Sequence, residues 1–222
     1  MAKNRLLIAA STLPPTESDL PAYIAELERV GIDMLHCDVM DGKFVSSATY
    51  NHALLKVLRD KTKLPFDVHL MVSEPAGDIA AYADAGADYI TVHFEAFEDK
   101  QDLVSTLAAI HDAGLKAGIS LKPKTAVSEL VPYLELVDLV LVMSVEPGAG
   151  GQGMLDGSAE RVAEFSRLRE ELWLGFVIEV DGGVNLNNVS AIRQAGADIV
   201  VIGSALYKAE DKSEFVKEVW SA

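Results

Sequence analysis

The chain has 222 residues, half of them hydrophobic, and a formal net charge of −15. That apolar content supports one buried core or two small ones and excludes a disordered chain, while so acidic a surface excludes nucleic acid and anionic membranes as partners. The single cysteine, Cys37, cannot close an internal disulfide, and no apolar run approaches the ~20 residues of a membrane span, so a soluble, cytoplasmic protein is expected.

The opening MAKNRLLIAAS reads as a first strand over 5–11, because its apolar run, Leu6 to Ala10, is shorter than the ~7–15 residues of a signal-peptide core. Further strands are read over 33–39, 66–71, 88–93, 116–121, 138–145, 176–181 and 198–204. Between them lie amphipathic helical patterns, among them 19–31, 78–86, 102–114 and 188–196. Near-continuous apolar strands alternating with helices indicate a parallel sheet covered by helices. A weak repeat, VGID (30–33) and AGAD (85–88 and 195–198), places a glycine after a helix and then enters the next strand; AGLK (113–116) does the same. Evenly spaced strands without a linker predict a single α/β domain over 1–222, an eight-stranded parallel (β/α)8 TIM barrel. An open doubly wound sheet is disfavoured, since no G-x-G-x-x-G follows the first strand.

In such a barrel the active site lies at the C-terminal strand ends. There the sequence offers Ser11, then His36 and Asp38 on one face of the second strand with Cys37 on the other. Asp67 and His69 follow on the third, His93 at the end of the fourth with Glu95 beyond it, and Glu179 and Asp181 on the seventh. His52 lies just beyond the second strand and His111 within a helix. Any one histidine alone reads as a satisfied polar residue. Together, His36, Asp38, His69 and Asp181 could converge on one divalent metal; imidazole nitrogen with carboxylate oxygen suits Zn²⁺, Mn²⁺, Fe²⁺ or Co²⁺ over Ca²⁺. Glycine-rich stretches follow the last strands, EPGAGGQG (146–153), DGG (181–183) and GSA (203–205). They let backbone N–H groups approach a ligand and predict a phosphate site. Met40, Met71 and Met143 sit near the same ends as gap-filling core.

The segments LHCDVMDGKFV, DVHLMV, GADYITVHFEA, LVLVMSVEPGAGGQ, VDGGVN and GADIVVIGSALY resemble, in order and spacing, the motifs of the ribulose-phosphate 3-epimerase family, from about Ile8 to Tyr207. The resemblance implies a metal-dependent enzyme interconverting D-ribulose 5-phosphate and D-xylulose 5-phosphate. It assigns His36, Asp38, His69 and Asp181 as ligands of one divalent ion, zinc first and iron, manganese or cobalt as alternatives. It makes Asp38 and Asp181 the acid–base pair. Ser11 and His69 would contact the substrate, with Gly148, Ala149, Gly150, Gly151, Gly182, Gly183, Gly203 and Ser204 around its phosphate. A homo-oligomer is also implied.

The chemistry is coherent. Removing the C3 proton beside the C2 carbonyl needs a Lewis acid for the developing enediolate, and inversion needs a second acid on the opposite face. Met40, Cys37 and the apolar strand walls would limit water access. Departures from the family pattern fall at Pro14-Pro15, Lys43, Ser46-Ser47, Lys122 and Lys124. They keep a related ketose phosphate, such as allulose 6-phosphate, as an alternative substrate. A sugar-phosphate decarboxylase of the same barrel type is a weaker alternative, because Met40 stands where its D-x-K-x-x-D pattern requires lysine.

Overall fold

A computed structural model describes residues 5–222; the first four residues of the expected 1–222 domain lie outside it. The strands are β1 (Leu7–Ser11), β2 (Met34–Met40), β3 (Phe66–Met71), β4 (Tyr89–His93), β5 (Lys116–Leu121), β6 (Leu139–Met143), β7 (Val177–Asp181) and β8 (Ile199–Ile202). Each pairs in parallel with the next, and β8 pairs with β1, so the barrel closes without an edge. The helices are α1 (Leu20–Val30), α2 (His52–Arg59), α3 (Ile79–Asp84), α4 (Lys100–Asp112), α5 (Ser158–Glu171), α6 (Val189–Ala195), α7 (Ser204–Tyr207) and α8 (Lys212–Ser221). No helix among the described residues is long and apolar enough to cross a membrane.

The expected alternation has one exception. Between β5 and β6 the chain makes two 3-10 turns, Val127–Glu129 and Val131–Leu136, in place of an α-helix. Pro132 removes a donor from this already short connection. β8 also ends earlier than expected, with Gly203 and Ser204 leaving the strand as α7 begins. His111 falls in the last turn of α4, where its Nε2 lies 2.9 Å from Asp138 Oδ2.

Strand alternation divides the core in two. Ala9, Met34, Leu139, Leu141, Met143, Ile199 and Val201 fill the barrel interior. Ile8, Leu35, Cys37, Val68, Ile90, Val140, Ile178 and Val200 belong to the larger core packed by the helices. Cys37 therefore faces the helices and not the site, a correction to its expected role in excluding water, for the simple reason that its neighbours His36 and Asp38 take the inner face.

The sequence repeat has a structural cause. Asp33, Asp88, Asp138 and Asp198 each precede an even-numbered strand. Their carboxylates accept the N–H of the preceding strand at Ile8 (2.9 Å), Phe66 (2.8 Å), Ala117 (3.0 Å) and Ile178 (2.8 Å). Each also pairs with a cation, in order Arg5, Arg59, Lys116 and Arg169. Two of these clamps match in full: Arg59, Phe66, Gly86 and Asp88 recur at identical spacing as Arg169, Phe176, Gly196 and Asp198. In both, the guanidinium lies over the phenylalanine ring and donates to the glycine carbonyl. The two halves of the barrel are thus locked at the N-terminal rim by the same device, away from the site.

Candidate active site

The registers His36↔Asp67 and Asp38↔His69 set imidazole and carboxylate side by side across β2 and β3. Asp38 Oδ1 lies 3.2 Å from His69 Nδ1 and 3.3 Å from His36 Nε2, and those two nitrogens are 3.3 Å apart. Asp38 Oδ2 accepts the Ser11 hydroxyl at 3.2 Å. Asp181 arrives from β7, and ligand atoms of His36, Asp38, His69 and Asp181 all lie within 4.8 Å of one another. The structure thus brings together all four residues that the sequence suggests as metal ligands.

Electrostatics separates the two aspartates. Burial opposes ionisation of Asp38, but the neighbouring imidazoles, His36 first and then His69, outweigh it and hold the carboxyl well below its usual range. For Asp181, burial and the nearby charge of Asp38 act together and push the carboxyl up to about 6. The two carboxyls therefore differ in proton affinity, with Asp181 the more readily protonated.

Beneath this layer sits a second one. His36 Nδ1 lies 2.5 Å from Asp67 Oδ2 and 3.6 Å from Glu179 Oε1, all within the closed interior. Asp67 Oδ1 and both Glu179 oxygens have no hydrogen-bond partner among the described residues. Burial works against a charge on His36, yet Asp67 and Asp38 raise its affinity for a proton well above the ordinary value. So many carboxylates around two imidazoles require positive charge, which a proton or a divalent cation can supply. With Nδ1 of His36 donating to Asp67, its Nε2 pair is turned to the four-residue cluster, so the donor set fits a cation.

The cluster opens into a cavity of about 440 Å³. Ser11, Asp38, Asp181, Gly148, Ala149, Gly150, Gly151, Gly182, Gly183, Gly203 and Ser204 line it, as the sequence suggests, and Met40, Met71 and Met143 form apolar wall. His36 and His69 are fully buried and do not line the cavity, so the structure does not place His69 at the cavity surface where a substrate contact is expected. Gly183 shows why the loop needs glycine: its φ is +66°, and a Cβ there would come within 2.4 Å of Met154 N. Gln152 pins the facing loop by donating to the carbonyls of Glu146 and Ala149, both at 2.8 Å.

Sequence reading missed Lys208, the one cationic side chain lining the cavity among the described residues, together with Tyr207 and Leu13. Its position just past the GSA segment was the available signal. Of the loop departures only Pro14 lines the cavity. Lys122 Nζ lies over the Phe44 ring at 4.0 Å, and Lys124 is 92% exposed beside Glu146, so neither offers a second anion site in the cavity. His93 and Glu95 extend the network outward from His69. Burial pushes the His93 imidazole down to about 4; for Glu95, burial is outweighed by hydrogen bonds from His93, Thr125 and Lys122, which hold it near 2.

A closed parallel barrel with a histidine–carboxylate cluster and glycine-rich loops at the C-terminal strand ends has the layout of a barrel enzyme. The family model of the ribulose-phosphate 3 epimerases matches residues 7–207. The chain is 42% identical over 211 residues to ribulose-phosphate 3-epimerase of Treponema pallidum, covering 95% of each chain. It is 38% identical to that of Bacillus subtilis, over 96% of this chain and 97% of the relative. It is also 37% identical to a chloroplastic ribulose-5-phosphate-3-epimerase of Arabidopsis thaliana, over 98% of this chain and 77% of the relative. The chain belongs to the ribulose-phosphate 3-epimerase family, and with it to the isomerases of carbohydrate phosphates. Among solved structures, a 3-hexulose-6-phosphate synthase aligns at TM-score 0.67 and 16% identity, over 98% of this chain and 99% of that one. A mutant tryptophan synthase α-subunit of Pyrococcus furiosus aligns at TM-score 0.68 and 16% identity, over 97% and 96%. At such identities these two report the barrel alone.

Proposed function

We propose that the protein interconverts D-ribulose 5-phosphate and D-xylulose 5-phosphate, with Asp38 and Asp181 as the proton-transferring pair. The observation that carries this reading is the pair itself: two carboxylates at one cavity mouth, one held low and one pushed up to about 6. The ionised Asp38 takes a proton at C3 from one face, and the protonated Asp181 returns one from the other. In the reverse direction the roles exchange. His36, Asp38, His69 and Asp181 would hold one divalent ion, with zinc favoured and iron, manganese and cobalt as alternatives. When bound, that ion supplies a Lewis acid for the negative charge developing on the C2 oxygen. Ser11 keeps Asp38 oriented by its hydrogen bond. The loops at Gly148–Gly151, Gly182–Gly183 and Gly203–Ser204 receive the phosphate through backbone N–H groups, and the methionine walls exclude water.

The test is proton exchange at C3, followed by NMR in D2O with ribulose 5-phosphate. The expected result is deuterium incorporation with appearance of xylulose 5-phosphate, lost on chelation and restored by zinc or iron. Asp181→Asn should lower the rate by about 10²–10⁴-fold. Metal-replete protein that exchanges no deuterium would reject this substrate, and allulose 6-phosphate would be tried next.

A further inference from the structure

The polar contacts of His69 continue away from the cluster. Its Nδ1 faces Asp38 at 3.2 Å, and its Nε2 lies 2.9 Å from His93 Nε2. His93 Nδ1 lies 3.2 Å from Glu95 Oε2, and the other Glu95 oxygen accepts the Lys122 N–H at 2.7 Å and the Thr125 hydroxyl. His69 and His93 are fully closed off from solvent, and Phe44 packs on His93 with ring centroids 4.9 Å apart.

With both imidazoles neutral, donor and acceptor rules leave one arrangement. A carboxylate only accepts, so His93 carries its proton on Nδ1 and gives it to Glu95. His93 Nε2 is then a lone pair, and at 2.9 Å it must face a donor, the N–H on His69 Nε2. That leaves His69 Nδ1 as a lone pair aimed at Asp38 and His36, the state that a metal ligand requires.

We propose that Glu95 and His93 are positioning residues that fix the tautomer of His69 and so hold its Nδ1 as an electron-pair donor to the cluster. The inference rests on the divalent-metal reading above. It also gives a reason for a carboxylate specifically at position 95. An amide has one accepting oxygen. If that oxygen keeps His93, the NH2 group is turned toward the Lys122 N–H and Thr125 hydroxyl, and their acceptor is lost. If the NH2 group faces His93 instead, the relay inverts, and His69 is left with its proton on Nδ1.

The test uses zinc-loaded full-length protein. Long-range ¹H–¹⁵N NMR of the labelled histidines should show His69 protonated at Nε2 and His93 at Nδ1; a His93 proton on Nε2 would overturn the proposal. Competition with a chromogenic chelator should show Glu95→Gln binding zinc about 10–100-fold more weakly. Thr125→Val, which removes a loop contact but leaves the relay, should stay within about 3-fold of wild type on the same reasoning. Equal zinc affinity in Glu95→Gln and wild type, or an equal loss in Thr125→Val, would sink the relay while leaving the metal reading intact. Wild-type protein that binds no zinc would remove the metal reading and this inference with it. Should Glu95→Gln fail to fold, the wild-type tautomers still decide.

Discussion

Asp41 accepts both the backbone N–H and the hydroxyl of Ser73, each at 2.8 Å, and so ties the loop after β2 to the loop after β3. Its other oxygen accepts the N–H groups of Lys43 at 2.8 Å and Phe44 at 2.9 Å. Burial opposes the charge, but the N–H groups of Ser73, Phe44 and Lys43 outweigh it and hold the carboxyl below its ordinary value. Asp41→Ala should cost about 1–2 kcal/mol at pH 7, toward the lower figure because the carboxylate is partly solvated. A folded-state value below the unfolded one means that the stabilisation is present above pH 3.8 and is lost as pH falls further. Urea unfolding at pH 7 and pH 3 should show the gap between variant and wild type closing at the lower pH.

Arg59 and Arg169 make the same clamp in the two halves of the barrel. Each is mostly buried, with 25% and 21% of its side chain exposed, and each donates to backbone carbonyls besides its aspartate. Removing either leaves those carbonyls and a carboxylate short of a donor, so Arg59→Met and Arg169→Met should each cost about 1–3 kcal/mol. The clamps share no partner, so the double variant should show the sum of the two losses. A denaturation cycle with a coupling above about 0.5 kcal/mol would contradict their independence. Epimerase activity per folded molecule should hold, because both arginines lie at the rim opposite the cavity.

Strand positions and the inner-face pairs were legible because period-two alternation is a local property: His36 with Asp38, Asp67 with His69 and Glu179 with Asp181 follow from spacing alone. The repeat was visible as VGID and AGAD, but its meaning was not, since Arg59 and Asp88 meet only when the sheet closes. No role for His93 and Glu95 could be read from the sequence, for the same reason. Their importance depends on Nε2 facing Nε2 across β3 and β4, and no spacing encodes a ring orientation. Lys208 escaped notice because a lysine after a short helix looks like any solvated residue until the cavity wall is assembled around it. The 3-10 connection before β6 was obscured by strong apolar runs on both sides.

Glu179 sits under the cluster with both oxygens unpartnered among the described residues, and burial together with the charge of Asp67 pushes its carboxyl up to about 8. The folded chain therefore favours the neutral acid, and folding takes up a proton between the ordinary value of 4.5 and about 8. Stability contributed by this group is complete below pH 4.5 and falls as pH rises through 8. Glu179→Gln keeps the shape without the ionisation. In metal-free protein, its stability relative to wild type should rise by more than about 1 kcal/mol between pH 5 and pH 8.5. Parallel stability curves for the two proteins over that range would show that Glu179 does not titrate there.

Lys208 lines the same cavity as Gly203 and Ser204, and its side chain is exposed beside the glycine-rich loops proposed to receive the phosphate. Backbone N–H groups recognise a phosphate by direction, whereas a mobile ammonium adds charge and attracts the dianion from farther away. In a protein with net charge −15, that local cation matters more, because the surrounding surface repels the substrate. Lys208→Met should therefore raise KM about 3–10-fold, equivalent to roughly 0.7–1.4 kcal/mol of binding, with kcat nearly unchanged. Inhibition by inorganic phosphate should weaken by a similar factor. Because exposed charge is screened by salt, the difference between variant and wild type should shrink as ionic strength rises from about 0.01 M to 1 M. A lower kcat at unchanged KM would instead place Lys208 in the chemical step, and an effect independent of salt would point to packing against the cavity wall and not to charge.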